Sequence, residues 1–348
     1  MALFSRRKKS DPDDVSAERP EGVIEPGEQP VDPAEEPAAP VPQVTISTSS
    51  FRGVGAPADA TPATDSTPPV AARPSARPPG PMEAPEGRES IPGVQDNALL
   101  ATALAEISGA AQPVQLLNVA RQLLQGNVFL RVKGDARALI AEGKDLPLAV
   151  ATRGDEQLVL AYSSGQALSQ SVHADGDRDT SAMAQPVMAL LRYVLDGPYA
   201  GLVLDHASGD ARAVLPTALL ERMVSEADAD LRIKTALSAK RTESTASTIV
   251  DAIVAGAPLW IAVNQAEGGP VGVAESRAAT GERFLEVFSH PLELLALGRG
   301  DQAVPLKSEQ LVAAIRGDDG LTGLLVDPAG PWIRLTRDDL AGLLTRDE

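Results

Sequence analysis

The sequence has no cysteine, few aromatic residues and no long apolar run. Its 348 residues include 0 Cys, 2 Trp, 3 Tyr and 5 Phe. Without cysteine there can be no disulfide, thiolate zinc site or cysteine nucleophile, and we predict a reducing, cytoplasmic location. No stretch approaches the roughly 20 apolar residues that a membrane-spanning helix needs. We therefore expect a protein that neither spans a membrane nor depends on disulfides.

Recognisable catalytic and cofactor motifs are also missing. The chain contains no GxxxxGK[ST] loop, no strand-linked GxGxxG and no GxSxG elbow. The three histidines, His173, His206 and His290, lack the spacing of zinc ligands, and we interpret them as surface or turn residues. The acidic loop at Asp175 to Asp179 lacks the Gly and Glu of an EF-hand. We predict no catalytic residue, no metal and no cofactor.

The net charge of −17 argues against nucleic acid as a partner, because affinity for phosphate backbones comes mainly from clustered Lys and Arg. One basic cluster does occur, directly after the short apolar start "MALF". This order is the reverse of a secretory signal. A weak contact with anionic lipid is the alternative to a solubilising start. The basic residues are Arg6, Arg7, Lys8 and Lys9.

Residues 1–96 form a tail rich in Pro, Ala and Glu. Large apolar side chains are scarce there, so the segment cannot bury enough surface to offset the entropy of ordering, and we predict disorder. The run from Pro68 to Pro81 favours extended, polyproline-like structure. We interpret the tail as a spacer, with a ligand for a signalling domain as the alternative.

The remaining residues contain a repeat. An apolar pentapeptide occurs as "GLVLD" at Gly201 to Asp205 and as "GLLVD" at Gly323 to Asp327. Upstream of each, helix-period apolar segments end at Gly126 or Gly256 and lead into strand-like runs, and further matches follow in the same order. We divide this part into two units, residues 97–225 and 226–348.

Each unit should consist of two helices, three strands, a helix, a strand, a short strand and a final helix. Short strands around compact polar turns predict an antiparallel hairpin, and each pentapeptide predicts a strand buried on both faces after a crossover. The first unit has longer loops, around "KGDARALIAEGKD" and "SQSVHADGDRDTSAMAQ". The predicted fold class is α/β or α+β: two tandem units, each a small mixed sheet packed with helices, after a disordered tail.

These residues resemble the SseB family of "enhanced serine sensitivity" proteins, through its N-terminal domain. The resemblance is based on "YSS" and "FSH", which precede a helix, and on "GLVLDHASG" and "GLLVDPAG". The family pattern has Asn where this chain has Asp327, and copy one departs with Asp205 and His206. The resemblance implies two tandem copies in a bacterial, cytoplasmic, non-enzymatic protein of poorly defined role. The Pro, Ala and Arg usage is typical of actinobacteria.

Candidate binding residues cluster at the predicted strand ends. Asp205 and Asp327 should start turns, or else mark the mouth of a ligand or protein groove. Ser164 or Ser289 should cap the following helices, and Trp260 should lie in a core. Trp332 follows "AGP" and could anchor a partner. The full candidate set is Tyr162, Asp205, His206, Phe288, His290, Asp327 and Trp332.

We predict a non-enzymatic binding or regulatory protein that contacts an unidentified protein partner. One alternative is an enzyme or small-molecule sensor with a pocket near Asp205, His206, Asp327 and His290. The other is a membrane-surface scaffold that uses the basic N-terminus.

Overall fold

The computed structural model describes residues 80–265 and 271–345. The predicted disorder of residues 1–79 and the lipid contact proposed for the basic start lie outside the described residues. All described residues belong to one compact unit, Thr48–Glu348. It contains two mixed sheets, each packed with helices, which confirms the predicted fold class of two tandem α/β units.

The first sheet belongs to residues 97–225. Its strands are β1 (Asn127–Lys133), β2 (Val150–Arg153), β3 (Glu156–Tyr162), β4 (Thr180–Pro186), β5 (Gly201–Leu204) and β6 (Ala213–Pro216). The helices are α1 (Ala98–Ala105), α2 (Pro113–Leu123), α3 (Ala136–Ala141), α4 (Gly165–Asp175), α5 (Val187–Asp196) and α6 (Thr217–Ser225). The strand order is β4-β1-β3-β5-β6, with β2 paired to β3.

The second sheet belongs to residues 226–348. Its strands are β7 (Leu259–Gln265), β8 (Val271–Val273), β9 (Glu275–Arg277), β10 (Arg283–Phe288), β11 (Gln302–Leu306), β12 (Leu321–Val326) and β13 (Ile333–Thr336). The helices are α7 (Arg232–Ser238), α8 (Thr245–Val254), α9 (Pro291–Leu295), α10 (Ser308–Gly317) and α11 (Ala341–Leu344). The order β11-β7-β10-β12-β13 repeats that of the first sheet.

Strand directions also match between the sheets. β1 and β3 are antiparallel, β3 and β5 are parallel, and β5 and β6 are antiparallel. The equivalent strands β7, β10, β12 and β13 pair in the same sense. The predicted hairpin is present as β2–β3 and as β9–β10. The parallel pair in each sheet follows a crossover that includes a helix, as the buried pentapeptides predicted.

The repeated pentapeptides form β5 and most of β12, and their glycines are needed for close strand approach. All four residues of β5 are buried. A Cβ at Gly201 would lie 2.3 Å from the carbonyl oxygen of Leu215 on β6. At Gly323 the same atom would lie 1.9 Å from the carbonyl oxygen of Leu335 on β13. Any other residue would push the antiparallel neighbour away.

Each sheet has a thickly and a thinly covered face. In the first unit, α1, α2, α5 and α6 bury Leu and Val side chains against one face. The opposite face is covered by α4, with Ile91 and Val94 at the edge of a smaller cluster. In the second unit, α7, α8, α10 and α11 cover one face, and the short α9 covers the other. The predicted strand ends lie at the border of these thinly covered faces.

Both segments predicted as longer loops contain regular structure. The first includes α3, whose N-cap Asp135 accepts hydrogen bonds from two helix amides. The second includes the end of α4 and all of β4 except its last residue, and β4 pairs with β1 over seven positions. β11 was missed in the same way. Both strands lie at sheet edges, where polar residues and proline are tolerated, so neither shows the apolar run of a central strand.

The predicted tail extends to Asp96, and its last described part, residues 80–96, contacts the rest of the chain. The Gly80 amide donates to the carbonyl oxygen of Pro328 at 2.8 Å. At the other end, the Asp96 carboxylate accepts from the Gly165 amide at 3.2 Å. Ile91 packs against the same glycine. We call residues 80–96 the strap, because it contacts the second unit at its start and the first unit at its end.

Candidate functional site

Asp205 and Asp327 hold together the parallel strands of each sheet. The Asp205 carboxylate accepts from the Ser163 amide at 2.7 Å and from the Ser163 hydroxyl at 2.5 Å. Asp327 accepts in the same way from Ser289, at 2.7 and 2.6 Å. Each aspartate starts a turn through its own carbonyl, as predicted. Its side chain, however, bonds to the end of the neighbouring strand and not to the backbone that follows it.

Both carboxyl groups are buried, and burial dominates their acidity. Asp205 is 4% and Asp327 2% exposed. Desolvation raises the pKa of Asp205 to about 6, although the hydrogen bonds from Ser163 oppose the shift. Desolvation, aided by the charge of Glu293, raises the pKa of Asp327 to about 7. Because each carboxylate accepts two hydrogen bonds from one serine, each pair acts as a clamp between the ends of two neighbouring strands.

His290 lies in the turn between β10 and α9, which agrees with its interpretation as a turn histidine, but it is buried and not on the surface. It is 1% exposed. Its Nδ1 accepts from the Leu292 amide at 3.1 Å and so caps α9, and its Nε2 lies 3.1 Å from the carbonyl oxygen of Met223. Burial lowers its pKa to about 4, so the ring is neutral near pH 7. The predicted Ser289 cap is therefore wrong, whereas Ser164 caps α4 through the Ala167 amide as predicted.

The remaining histidines belong to the first unit. His173 lies on the last turn of α4 and is exposed, with Nδ1 2.6 Å from the carbonyl oxygen of Ser169. His206 is partly buried, and its ring centroid lies 5.8 Å from that of Tyr162. Within the described ranges, His206 Nδ1 is buried without a hydrogen-bond partner. Desolvation lowers the pKa of His206.

A polar network extends from Tyr162 beneath α4. The Tyr162 hydroxyl lies 2.8 Å from the Ser171 hydroxyl, which accepts from Arg131 at 3.1 Å. Arg131 also donates to both carboxylate oxygens of Asp175, and this contact raises its pKa. The acidic stretch at Asp175 is thus the ion-pair partner of a buried arginine. Its side-chain relative exposure of 50% leaves the pair open to solvent.

The second unit has apolar side chains at the equivalent positions. Strand register aligns Tyr162 with Phe288, since each pairs with the aromatic residue of the preceding long strand, Phe129 or Trp260. Phe288 is fully buried in a cluster with Leu294 and Leu297. Trp260 is only partly buried, so the prediction that it lies in a core is correct in part. The two copies thus differ in polarity on their thinly covered faces.

An open groove runs along α4 in the first unit. It has a volume of about 800 Å³ and is lined by both polar and apolar groups. One wall is formed by the strap at Ser90, and another by the turn after β5 at Ala207. The remaining lining residues are Gly165, Gln166, Ser169, Gln170, His173 and Ala174.

Three charged side chains are buried where α2 meets α9. Glu293 Oε2 accepts from Arg121 at 2.9 Å, and Glu293 Oε1 accepts from Lys234. Their side chains are 3%, 7% and 5% exposed, respectively. Burial would raise the pKa of Glu293, but the two cations outweigh it and the pKa is lowered. Because Arg121 belongs to the first unit and the other two to the second, the cluster joins the units.

This cluster was not predicted, although one feature of the sequence pointed to it. Arg121 and Glu293 each interrupt an apolar stretch, "LLNVARQLL" and "HPLELL". A charge within an apolar helix face needs a partner. A cavity of only about 10 Å³ lies beside the cluster, lined in part by Lys234, Ser289 and His290. No ligand larger than a water molecule fits there.

Trp332 is engaged by the strap. Its indole Nε1 donates to the carbonyl oxygen of Gly80 at 2.7 Å, and the Arg334 guanidinium lies 5.3 Å from its ring centroid. Arg241 joins the same surface, donating to the carbonyl oxygens of Met82 at 3.0 Å and Trp332 at 3.1 Å. The residue predicted to anchor a partner therefore contacts an extended segment of its own chain.

Comparison of the chain with protein-family models, curated proteins and solved structures gives no match. The resemblance to the SseB family therefore stays a prediction. Among residues 80–265 and 271–345, no helix is long and apolar enough to cross a membrane. The same residues include no group of three or more His, Cys, Asp or Glu placed to hold a metal ion.

Proposed function

We propose that this protein is a non-enzymatic binding or regulatory module that recognises extended protein segments at the strand-end edges of its two sheets. The observation behind the proposal is the seating of the strap. A segment without regular secondary structure is held at both edges by hydrogen bonds to main-chain atoms, which is how many domains recognise extended peptides. On this proposal, the candidate residues of the two units line one kind of surface.

The contacts at the second unit support recognition of a main chain. The Gly80 amide donates to Pro328, and the Gly80 carbonyl accepts from Trp332. The Met82 carbonyl accepts from Arg241. These bonds use groups that every peptide has, so they give affinity for any extended segment whose side chains fit.

The contacts at the first unit lie at the equivalent edge. The Asn97 amide donates to the Ser163 carbonyl at 2.8 Å, and the Asp96 carboxylate accepts from the first amide of α4. Ser163 is also the partner of the clamp residue Asp205. The duplicated strand ends thus receive the two ends of the same segment.

The proposal includes the family suggested by the sequence. A tandem SseB-like module in the bacterial cytoplasm agrees with the matching strand order of the sheets and with a chain that lacks cysteine. The second-unit residues offered for a catalytic or sensing pocket have few free groups. His290 uses both ring nitrogens, and Asp327 uses both carboxylate oxygens.

Selection from a random peptide library on the immobilised full chain tests the proposal. We expect enriched peptides whose affinity falls at least tenfold when Trp332 is replaced by Ala or Arg241 by Met. Tyr193→Ala is the control, because this exposed tyrosine contacts Tyr199 and lies away from both edges. Failure to enrich any peptide, or binding that is insensitive to both edge substitutions, would contradict the proposal.

A second candidate function, a small-molecule sensor or enzyme in the first unit, is favoured by one observation. His206 Nδ1 lacks a partner in the described part of the chain, and the next residue, Ala207, lines the groove along α4. A metabolite library screened by thermal shift on the full chain tests it. A stabilising compound whose shift disappears in His206→Phe supports this function. No shift, or one that persists in the variant, counts against it.

A further inference from the structure

We propose that the surface occupied by the start of the strap is selective for Gly-Pro, and that partner proteins present a Gly-Pro-containing segment to it. We call this surface the Trp332 edge and define it as residues 328–332 together with Arg241. The chain's own Gly80–Pro81 occupies the Trp332 edge and acts as an internal competitor. The inference rests on the proposed function and adds the sequence class of the partner.

The first position of the segment admits only glycine. A Cβ built on Gly80 would lie 2.0 Å from the carbonyl oxygen of Ala329 and 2.5 Å from its carbonyl carbon. Distances below 3.0 Å to backbone atoms cannot be relieved by turning a side chain. Any side chain at this position would therefore separate the segment from the turn and break its hydrogen bonds to Pro328 and Trp332.

The second position suits proline. The Pro81 ring lies against Gly330, where an added Cβ would be 2.7 Å from Pro81 Cδ. Proline has no amide hydrogen, so it needs no acceptor at a position where the ring is packed. Its fixed backbone angle also reduces the entropy lost when an extended segment binds. Glycine is thus required at position 330 of the edge, and proline suits the segment because its ring fits against Gly330 and leaves no amide unpaired.

The third position is not restricted. Met82 is 52% exposed, and its recognised group is the carbonyl oxygen that accepts from Arg241. The recognised pattern is therefore Gly-Pro followed by any residue. Three hydrogen bonds fix its direction: the Gly80 amide donates to Pro328, and the carbonyl oxygens of Gly80 and Met82 accept from Trp332 and Arg241.

The internal segment is held in a way that permits exchange. Residues 81–83 and 85–90 are exposed, so few contacts secure the strap between its two ends. Trp332 is itself only partly buried. Because the internal segment is on the same chain, its effective concentration at the Trp332 edge is high. A partner segment therefore needs a higher affinity to displace it, but displacement remains possible. Substitution of Gly80 removes the competitor and leaves the edge intact.

The test uses a labelled peptide with the sequence of residues 76–86, measured by fluorescence anisotropy against the full chain. We expect at least tenfold tighter binding to the Gly80→Ala chain than to the wild type. With that chain, a peptide carrying Ala in place of its Gly should bind at least tenfold more weakly. Since both peptides are compared on one protein, this result does not depend on how a variant folds.

Tryptophan substitutions in the Gly80→Ala chain locate the site. Trp332→Phe should weaken binding because the Nε1 donor is lost, whereas Trp260→Phe, at the other tryptophan, should leave it unchanged. Equal affinity for the Gly and Ala peptides, or no effect of Trp332→Phe, overturns the Gly-Pro assignment. If the wild type forms a dimer in which each copy binds the strap of the other, and no peptide binds, the Trp332 edge is an interface between copies. That result also overturns the Gly-Pro assignment.

The peptide selection described under the proposed function separates two kinds of failure. If selected peptides depend on Trp332 but lack Gly-Pro, the binding function stands and the selectivity is wrong. If no peptide binds at all, both are wrong.

Discussion

Replacing Glu293 with Gln should destabilise the whole described structure. The Glu293 carboxylate forms an ion pair with both Arg121 and Lys234, which are buried, and the substitution removes its negative charge. Gln has nearly the same shape as Glu, so packing between α2 and α9 is retained. One amide oxygen still accepts from Arg121, but the positive charges of both cations are no longer balanced.

The expected loss follows from the burial of all three groups. Breaking a buried ion pair by removing one partner costs about 3–5 kcal/mol, mainly because the other charge stays buried and uncompensated. The side chain of Glu293 is 3% exposed and those of its partners are 7% and 5% exposed, so solvent cannot take over. We therefore expect the free energy of unfolding to fall by about 3 kcal/mol or more.

Urea unfolding of the full chain at pH 7.5, followed by tryptophan fluorescence and far-ultraviolet circular dichroism, measures the loss. Coincidence of the two transitions shows that the two-state treatment applies. Glu221→Gln, an exposed position on α6, is the matched control for the change of charge. Replacing all three residues of the cluster with Met should restore most of the stability. A loss no larger than that of Glu221→Gln would refute the view that these charges are balanced inside the protein.

Three further predictions concern the strand ends. The pKa of Asp327 is about 7 in the folded state and about 4 in the unfolded state, so the folded state binds more protons between these two pH values. The free energy of unfolding therefore falls by about 4 kcal/mol as the pH rises from 4 to 7. Asp327→Asn keeps the geometry without the charge, so its gain in stability at pH 7.5 should vanish at pH 4; a constant difference across urea titrations would contradict this. Gly323→Ala should destabilise by roughly 1–3 kcal/mol because its Cβ meets Leu335, whereas Gly342→Ala, with open space around it, should not. Equal melting temperatures of the two glycine variants would be the contrary result. Tyr162→Phe copies the second unit and should cost about 1 kcal/mol through the lost hydrogen bond between the Tyr162 and Ser171 hydroxyls, and unchanged urea midpoints would show that this bond contributes nothing.

The repeated pattern allowed the fold class to be predicted from sequence. Continuous apolar runs such as Gly201 to Asp205 can be satisfied only by a strand covered on both sides, and the helix before each run requires a crossover. Edge strands leave a weaker trace, because they have a neighbouring strand on one side only and most of their side chains are only partly buried. β4 and β11 were missed for this reason, and their pairing depends on β1 and β7, which are distant in sequence.

Contacts at the strand ends were only partly predictable. The turns at Asp205 and Asp327 follow from local chemistry, but their serine partners lie 42 and 38 residues away. Composition alone assigned residues 80–96 to the tail. Their ordering comes from Trp332 and Ile91 contacts, which become visible only when both units are folded.

The buried cluster shows why charge is hard to place from sequence. Arg121, Lys234 and Glu293 come from three helices in two units. Arg121 and Glu293 interrupt apolar stretches, which indicates that each needs a partner. No local pattern identifies that partner, because the three residues meet only when α2 packs against α9.

The strap also sets how far the preceding chain can reach. While Gly80 is seated on the Trp332 edge, everything N-terminal to it is tethered to the second unit. Release of residues 80–87, with Arg88 to Asp96 still in place, would move the attachment point to the first unit. About eight extended residues add roughly 26 Å of reach. Exchange of one Gly-Pro dipeptide would thus shift the point at which the preceding chain joins the described structure.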